Sequence, residues 1–122
     1  MSSKKILIVD DDEAMVETLC DVLELHGWEP VRASNGEQAV EVVTSGEVDI
    51  VLMDIRMPKM NGVEALKVIK SRRPSARVVL FTASAAQELL ADAERYGAER
   101  VLRKPVDAAE LLAVLEGLRK TG

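Results

Sequence analysis

The chain is poor in aromatic residues: Trp28, Tyr96 and Phe81 are all it has, so Val, Leu, Ile, Ala and Met must fill its core. One cysteine, Cys20, excludes an internal disulfide and fits a reducing compartment. No apolar run approaches the roughly 20 residues needed to cross a bilayer. The N-terminal Met1–Lys5 leads straight into a short apolar run that ends in acids, unlike a cleavable leader. A cytoplasmic protein without membrane contact is the expectation. No G-x-x-x-x-G-K-[ST] or G-x-G-x-x-G loop is present, so no nucleotide cradle is expected. A net charge of −5 weighs against direct nucleic-acid binding, which depends on Lys and Arg neutralising phosphates.

What is present is globular in composition: 122 residues, 48% apolar and 30% charged. That length suits one domain spanning residues 1–122. Lys5–Val9 is a β-branched run ending in Asp10-Asp11-Asp12-Glu13. A helix is expected from about Ala14 to Leu25, with Met15, Leu19, Val22 and Leu23 as its stripe, Asp12 as N-cap and Gly27 just past its end. Trp28–Ala33 reads as an edge strand because Pro30 cannot donate to a ladder. Ser34 to Glu37 has capping-box spacing before a helix carrying Ala39, Val42 and Val43. Ile50-Val51-Leu52-Met53 suits a strand buried on both faces; it delivers Asp54 and is followed by a Pro58 and Asn61-Gly62 turn region. Asn61 and Glu64 repeat the cap spacing before a helix through Leu66 and Ile69. Arg77–Phe81 is a strand ending at Thr82. Ser84 to Gln87 caps a helix through Leu89, Leu90 and Ala93, closed by Tyr96-Gly97. Glu99–Arg103 is a short strand stopped by Lys104-Pro105, and Asp107 to Glu110 caps a last helix with Leu111, Val114, Leu115 and Leu118.

Five strand–helix units in alternation imply an α/β, doubly wound, five-stranded parallel sheet with helices on both faces, a three-layer sandwich. Right-handed crossovers and an edge-like second strand favour the flavodoxin-like order 2-1-3-4-5. Strands one and three are then neighbours, and ligands in such sheets sit outside the carboxyl ends. Asp10, Asp11 and Asp54 converge there, with Thr82 and Lys104 from the next two strand ends. Taken alone, Asp54 could merely end a strand, and Asp12 and Glu13 read as helix capping. Two carboxylates ~4 Å apart repel by roughly 4 kcal/mol at an effective dielectric near 20. Three together need a cation or a bound proton. An oxygen-only set suits Mg²⁺, with Mn²⁺ as a substitute, and no His or Cys is at hand for zinc. A hydroxyl and an ammonium beside such an ion make a phosphoryl site, in which a carboxylate can attack phosphorus. Without a nucleotide loop, the donor is not expected to be ATP itself.

The chain resembles the receiver domains of two-component response regulators (the CheY-like family) along nearly its whole length. The resemblance rests on Asp10-Asp11 after Ile8-Val9, on Met53-Asp54-Ile55-Arg56-Met57-Pro58 with Asn61-Gly62, on Thr82-Ala83 and on Lys104-Pro105, in order and each at a strand end. It implies that Asp54 is the phosphoacceptor, that Asp11 binds Mg²⁺ directly and Asp10 through water, and that Asp54 and the Arg56 backbone carbonyl complete the protein ligands. Thr82 would bond the phosphoryl oxygen and Lys104 would pair with it. Pro58, Gly62 and Pro105 would shape the loops, with a cis Lys104–Pro105 bond. The donor would be a phosphohistidine on a sensor histidine kinase or phosphotransfer protein. The domain would catalyse its own phosphorylation and dephosphorylation without being a turnover enzyme. It would control a partner or attached output domain through the face of the fourth helix, fifth strand and fifth helix.

One departure from the family pattern concerns the switch. Receivers usually carry Tyr or Phe three positions before the lysine, where this chain has Val101. Thr82 is present without its aromatic counterpart, so output is expected to rely on shifts around Ser84 to Tyr96 or to be muted. Arg56 and Ser84 occupy positions where the family tunes phosphoryl lifetime. Rival readings are a receiver-like scaffold, an aspartyl-phosphate-type phosphatase using an acid after the first strand, and a flavin carrier. The second lacks a cap segment and a later acid pair; in the third, Asp10-Asp11-Asp12 would repel the flavin phosphate. His26 reads as a helix-end residue, Trp28 as packing, Tyr96 as a helix end, and Arg72-Arg73 as a solvated helix end.

Overall fold

The computed structural model describes residues 4–83 and 87–121. In chain order the elements are β1 (Lys5–Val9), α1 (Glu13–Leu25), β2 (Glu29–Ala33), α2 (Gly36–Thr44), β3 (Ile50–Asp54), α3 (Gly62–Arg72), β4 (Arg77–Thr82), α4 (Gln87–Arg95), β5 (Arg100–Arg103) and α5 (Ala108–Thr121). The strands form one parallel sheet in the order β2-β1-β3-β4-β5, as the alternation and the edge proline imply.

Period-two alternation sorts the central strands between two cores. Leu7, Val9, Val51, Met53, Val78 and Leu80 pack with α2, α3 and α4. Ile6, Ile8, Ile50, Leu52, Val79 and Phe81 pack with α1 and α5. Every residue of β3 is buried, which is why that segment reads as an unbroken apolar run. Trp28 fills the second core at the start of β2, and the half-buried Tyr96 covers the first.

Several local expectations shift. The α1 stripe is rotated: Val16, Leu19, Cys20 and Leu23 are buried, whereas Met15 and Val22 lie at its margin. Cys20 is wholly buried, and that burial raises its thiol pKa. The α2 cap is Asn35, not Ser34: the Asn35 side chain accepts from the Gln38 N–H at 2.9 Å, while the Ser34 N–H bonds Gln38 Oε1. Asn61 and Glu64 form a complete capping box, as their spacing implies. The expected cap at Ser84 lies outside the described residues. Arg73 is no solvated helix end. Its guanidinium bonds the carbonyls of Val43 and Val48 at 3.1 and 3.0 Å and Asp49 at 2.6 Å, locking α3 onto the turn before β3.

Candidate functional site

Parallel pairing of β1 with β3 sets Val9 against Met53. The next residues, Asp10 and Asp54, therefore leave the sheet side by side. Both are buried, as is Thr82 at the end of β4; these are the buried polar side chains among the described residues. Asp11 is exposed beside them. Carboxylate oxygens of Asp10, Asp11 and Asp54 all lie within 4.8 Å of one another.

Buried acids need partners, and both have them. One oxygen of each takes a backbone N–H: Asp12 N donates to Asp10 Oδ1 at 3.0 Å, and Arg56 N to Asp54 Oδ1 at 3.2 Å. The other oxygen of each meets Lys104, whose Nζ lies 3.1 Å from Asp54 Oδ2 and 3.4 Å from Asp10 Oδ2. The lysine is aimed by its own segment. Its backbone N–H donates to the Thr82 carbonyl at 2.9 Å, and the Lys104–Pro105 bond is cis. Burial alone would lower the Lys104 pKa. The hydrogen bond and charge of Asp54, then those of Asp10, more than offset this and raise it. Burial pushes the Asp10 carboxyl from its ordinary 3.8 up to about 6; the Asp12 N–H opposes this, the Asp54 charge adds to it, and Lys104 opposes it.

The loop after β3 keeps this arrangement closed. Gly62 N donates to the Ile55 carbonyl at 2.7 Å. A Cβ on Gly62 would sit 2.5 Å from the Asp54 carbonyl oxygen and 2.8 Å from Ile55 Cα, so no larger residue fits that approach. The Pro58 carbonyl accepts from Met60 N at 2.9 Å, around Lys59 at φ 70°. Such a turn is strained for a residue with a side chain. Val101 pairs with Leu80 in the sheet and is half-buried against the first core, as are Tyr96 and Ala98.

Three clustered oxygen-donor acids, two of them sharing one ammonium, fit a hard divalent cation, and no His or Cys belongs to the cluster. The fit is chemical as well as spatial: Lys104 alone leaves the group of three carboxylates with excess negative charge. The sequence pattern did not reveal Phe81, whose ring centroid lies 5.1 Å from Lys104 Nζ. That cation–π contact helps hold the ammonium over the acids. Its only sequence signal was adjacency, since Phe81 precedes Thr82 and pairs with Asp54 in the sheet.

Comparison with known proteins places the chain in a family. The response regulator receiver domain family matches residues 6–116. The chemotaxis protein CheY of Bacillus subtilis is 42% identical over 118 residues, 96% of each chain. The regulatory protein AtoC of Escherichia coli is 39% identical over 92% of this chain, which spans only 24% of that longer protein. A CheY-like receiver domain structure from Methanospirillum hungatei superposes with a TM-score of 0.91 at 30% identity, covering 99% of this chain and 100% of the other. The chain belongs to the response regulator receiver domain family, the phosphoswitch of two-component signalling.

Proposed function

We propose that residues 1–122 form one cytoplasmic receiver domain that takes a phosphoryl group onto Asp54. The donor is a phosphohistidine on a sensor histidine kinase or phosphotransfer protein. The observation that carries this reading is the Asp54 carboxylate itself, buried yet held between the Arg56 N–H and the Lys104 ammonium, with two more acids beside it. A carboxylate oxygen of Asp54 forms the new O–P bond as the P–N bond of the donor breaks; the imidazole keeps the electron pair and takes a proton from solvent. Mg²⁺, or Mn²⁺ in its place, held by Asp10, Asp11, Asp54 and the Arg56 carbonyl, would neutralise charge on the transferring group.

The chain's own residues do the rest. Lys104 exchanges its Asp54 contact for the incoming phosphoryl oxygens, and the Thr82 hydroxyl donates to one of them. Water later hydrolyses the acyl phosphate, so the domain resets itself without turning over a separate substrate. Phosphorylation shifts an equilibrium between two conformations, and α4, β5 and α5 present the change to a partner or output domain. Val101 supplies no aromatic ring to that readout. Pro58, Gly62 and Pro105 hold the loops that carry these groups.

Incubation with a small phosphodonor such as acetyl phosphate and Mg²⁺, followed by intact mass measurement, tests the reading. One phosphoryl addition is expected, lost in Asp54→Asn and on chelation. An unmodified parent protein that nevertheless binds Mg²⁺ would refute it.

A further inference from the structure

We propose that Gly36 is a positioning residue for the chemistry at Asp54: the first turn of α2 lacks a side chain there so that Met60, in the loop after Asp54, can seat against it. The inference rests on the phosphoacceptor reading of Asp54 and adds a residue from the start of the neighbouring helix α2.

Gly36 opens α2, is buried, and has no left-handed backbone to demand glycine. Backbone conformation therefore does not demand glycine here, and what marks the position is its approach to Met60. A Cβ at Gly36 would stand 3.1 Å from Met60 Cγ, 3.1 Å from the Met60 carbonyl oxygen and 3.2 Å from Met60 Cβ. The carbonyl belongs to the main chain and cannot swing aside as a side chain can.

The loop has little room to absorb that push. Its base is shut by the Gly62 N–H on Ile55 O, and Gly62 rests directly on the Asp54 backbone. Lys59 already sits at φ 70° in the tight Pro58–Met60 turn. Displacement at Met60 therefore passes to residues 56–59, where the Arg56 N–H holds Asp54 Oδ1. Gly117, in contrast, meets nothing within 4 Å of an added Cβ and provides a control for placing alanine in a helix.

The test compares parent, Gly36→Ala, Met60→Ala, the double variant and Gly117→Ala, with acetyl phosphate at saturating Mg²⁺. Gly36→Ala should slow phosphorylation by about tenfold, as small misplacements of reacting groups do, while Gly117→Ala leaves the rate unchanged. Met60→Ala should slow it less. The double variant should be faster than the product of the two single losses, because both act on one contact. A second readout needs neither metal nor phosphodonor: backbone amide resonances of residues 55–62 should move in Gly36→Ala. A Gly36→Ala rate within about twofold of parent, strictly multiplicative losses, or resonance changes confined to α2 would each overturn the inference. If Gly36→Ala does not fold, Met60→Ala decides alone, since an unchanged rate there removes the contact's role. Failure of the parent to accept a phosphoryl group would instead refute the reading of Asp54.

Discussion

The two ends of the sheet use charge in opposite ways. At the amino end, cations close loops onto carbonyl oxygens. Arg73 bonds Val43, Val48 and Asp49; Lys70 bonds the Pro74 and Ala76 carbonyls at 2.9 and 2.8 Å; Lys4 reaches His26 O; and Arg77 bonds Leu118 O. Those carbonyls lie at helix C-termini and in the turns that follow, where backbone acceptors lack helical partners. Charge there is directed at backbone acceptors and serves stability. At the carboxyl end, three acids cluster, and the two buried ones share one lysine, beside a strained turn. Charge there is left in excess, and that imbalance favours a hard divalent cation among the carboxylates. On the proposed reading, the same sheet separates holding the fold from doing chemistry.

The largest expected effect falls on the carboxyl end. Gly62→Ala must move the backbone of Asp54 or Ile55, and should cost about 3 kcal/mol or more in urea unfolding. A loss under about 1 kcal/mol would show that the loop is loose and the contrast between the ends overstated.

The pH dependence comes next. The Asp10 carboxyl titrates near 3.8 in the unfolded chain and at about 6 in the folded, metal-free protein. Below the lower value both states hold the proton. Between the two values the folded state keeps a proton that the unfolded chain has released, so Asp10's contribution to stability falls as pH rises across that window. Above it the deficit reaches at most about 3 kcal/mol. With a chelator present, parent minus Asp10→Asn stability should show this downward slope. A flat difference would mean that the buried acid is not strained.

Removing a cation from the other end should do something different. Arg73→Ala should lower stability by about 1–2 kcal/mol, since three acceptors lose their donor, yet leave phosphorylation unchanged. A slowed transfer in that variant would break the separation. The smallest effect is expected at Val101, half-buried against the first core. Val101→Tyr should change stability by under about 1 kcal/mol and leave the phosphorylation rate alone while altering partner binding. A changed rate would couple readout to chemistry.

Much of the molecule was legible in the sequence because its signals are local. The unbroken Ile50–Met53 run, the edge proline at Pro30 and the acids at strand ends fix strands, order and the meeting of Asp10, Asp11 and Asp54. Caps depend on one residue of register, and Asn35 competes with Ser34 for that role with an almost equivalent side chain. Contacts between distant segments were not legible. Arg73 reaches back 30 residues to Val43, and Phe81 meets Lys104 only across the sheet. Neither carries a pattern in its own neighbourhood. The seat of Met60 on Gly36 is the same case, since Asn35-Gly36 reads locally as an ordinary cap followed by a helix start.

On the proposed reading Asp54, not Asp10 or Asp11, receives the phosphoryl group. Borohydride reduces an aspartyl phosphate to homoserine, so treating the phosphorylated protein and sequencing its peptides by mass spectrometry locates the acyl phosphate directly. The prediction is homoserine at position 54 and nowhere else. Homoserine at position 10 or 11, or a phosphoryl group that survives the treatment on another side chain, would contradict it.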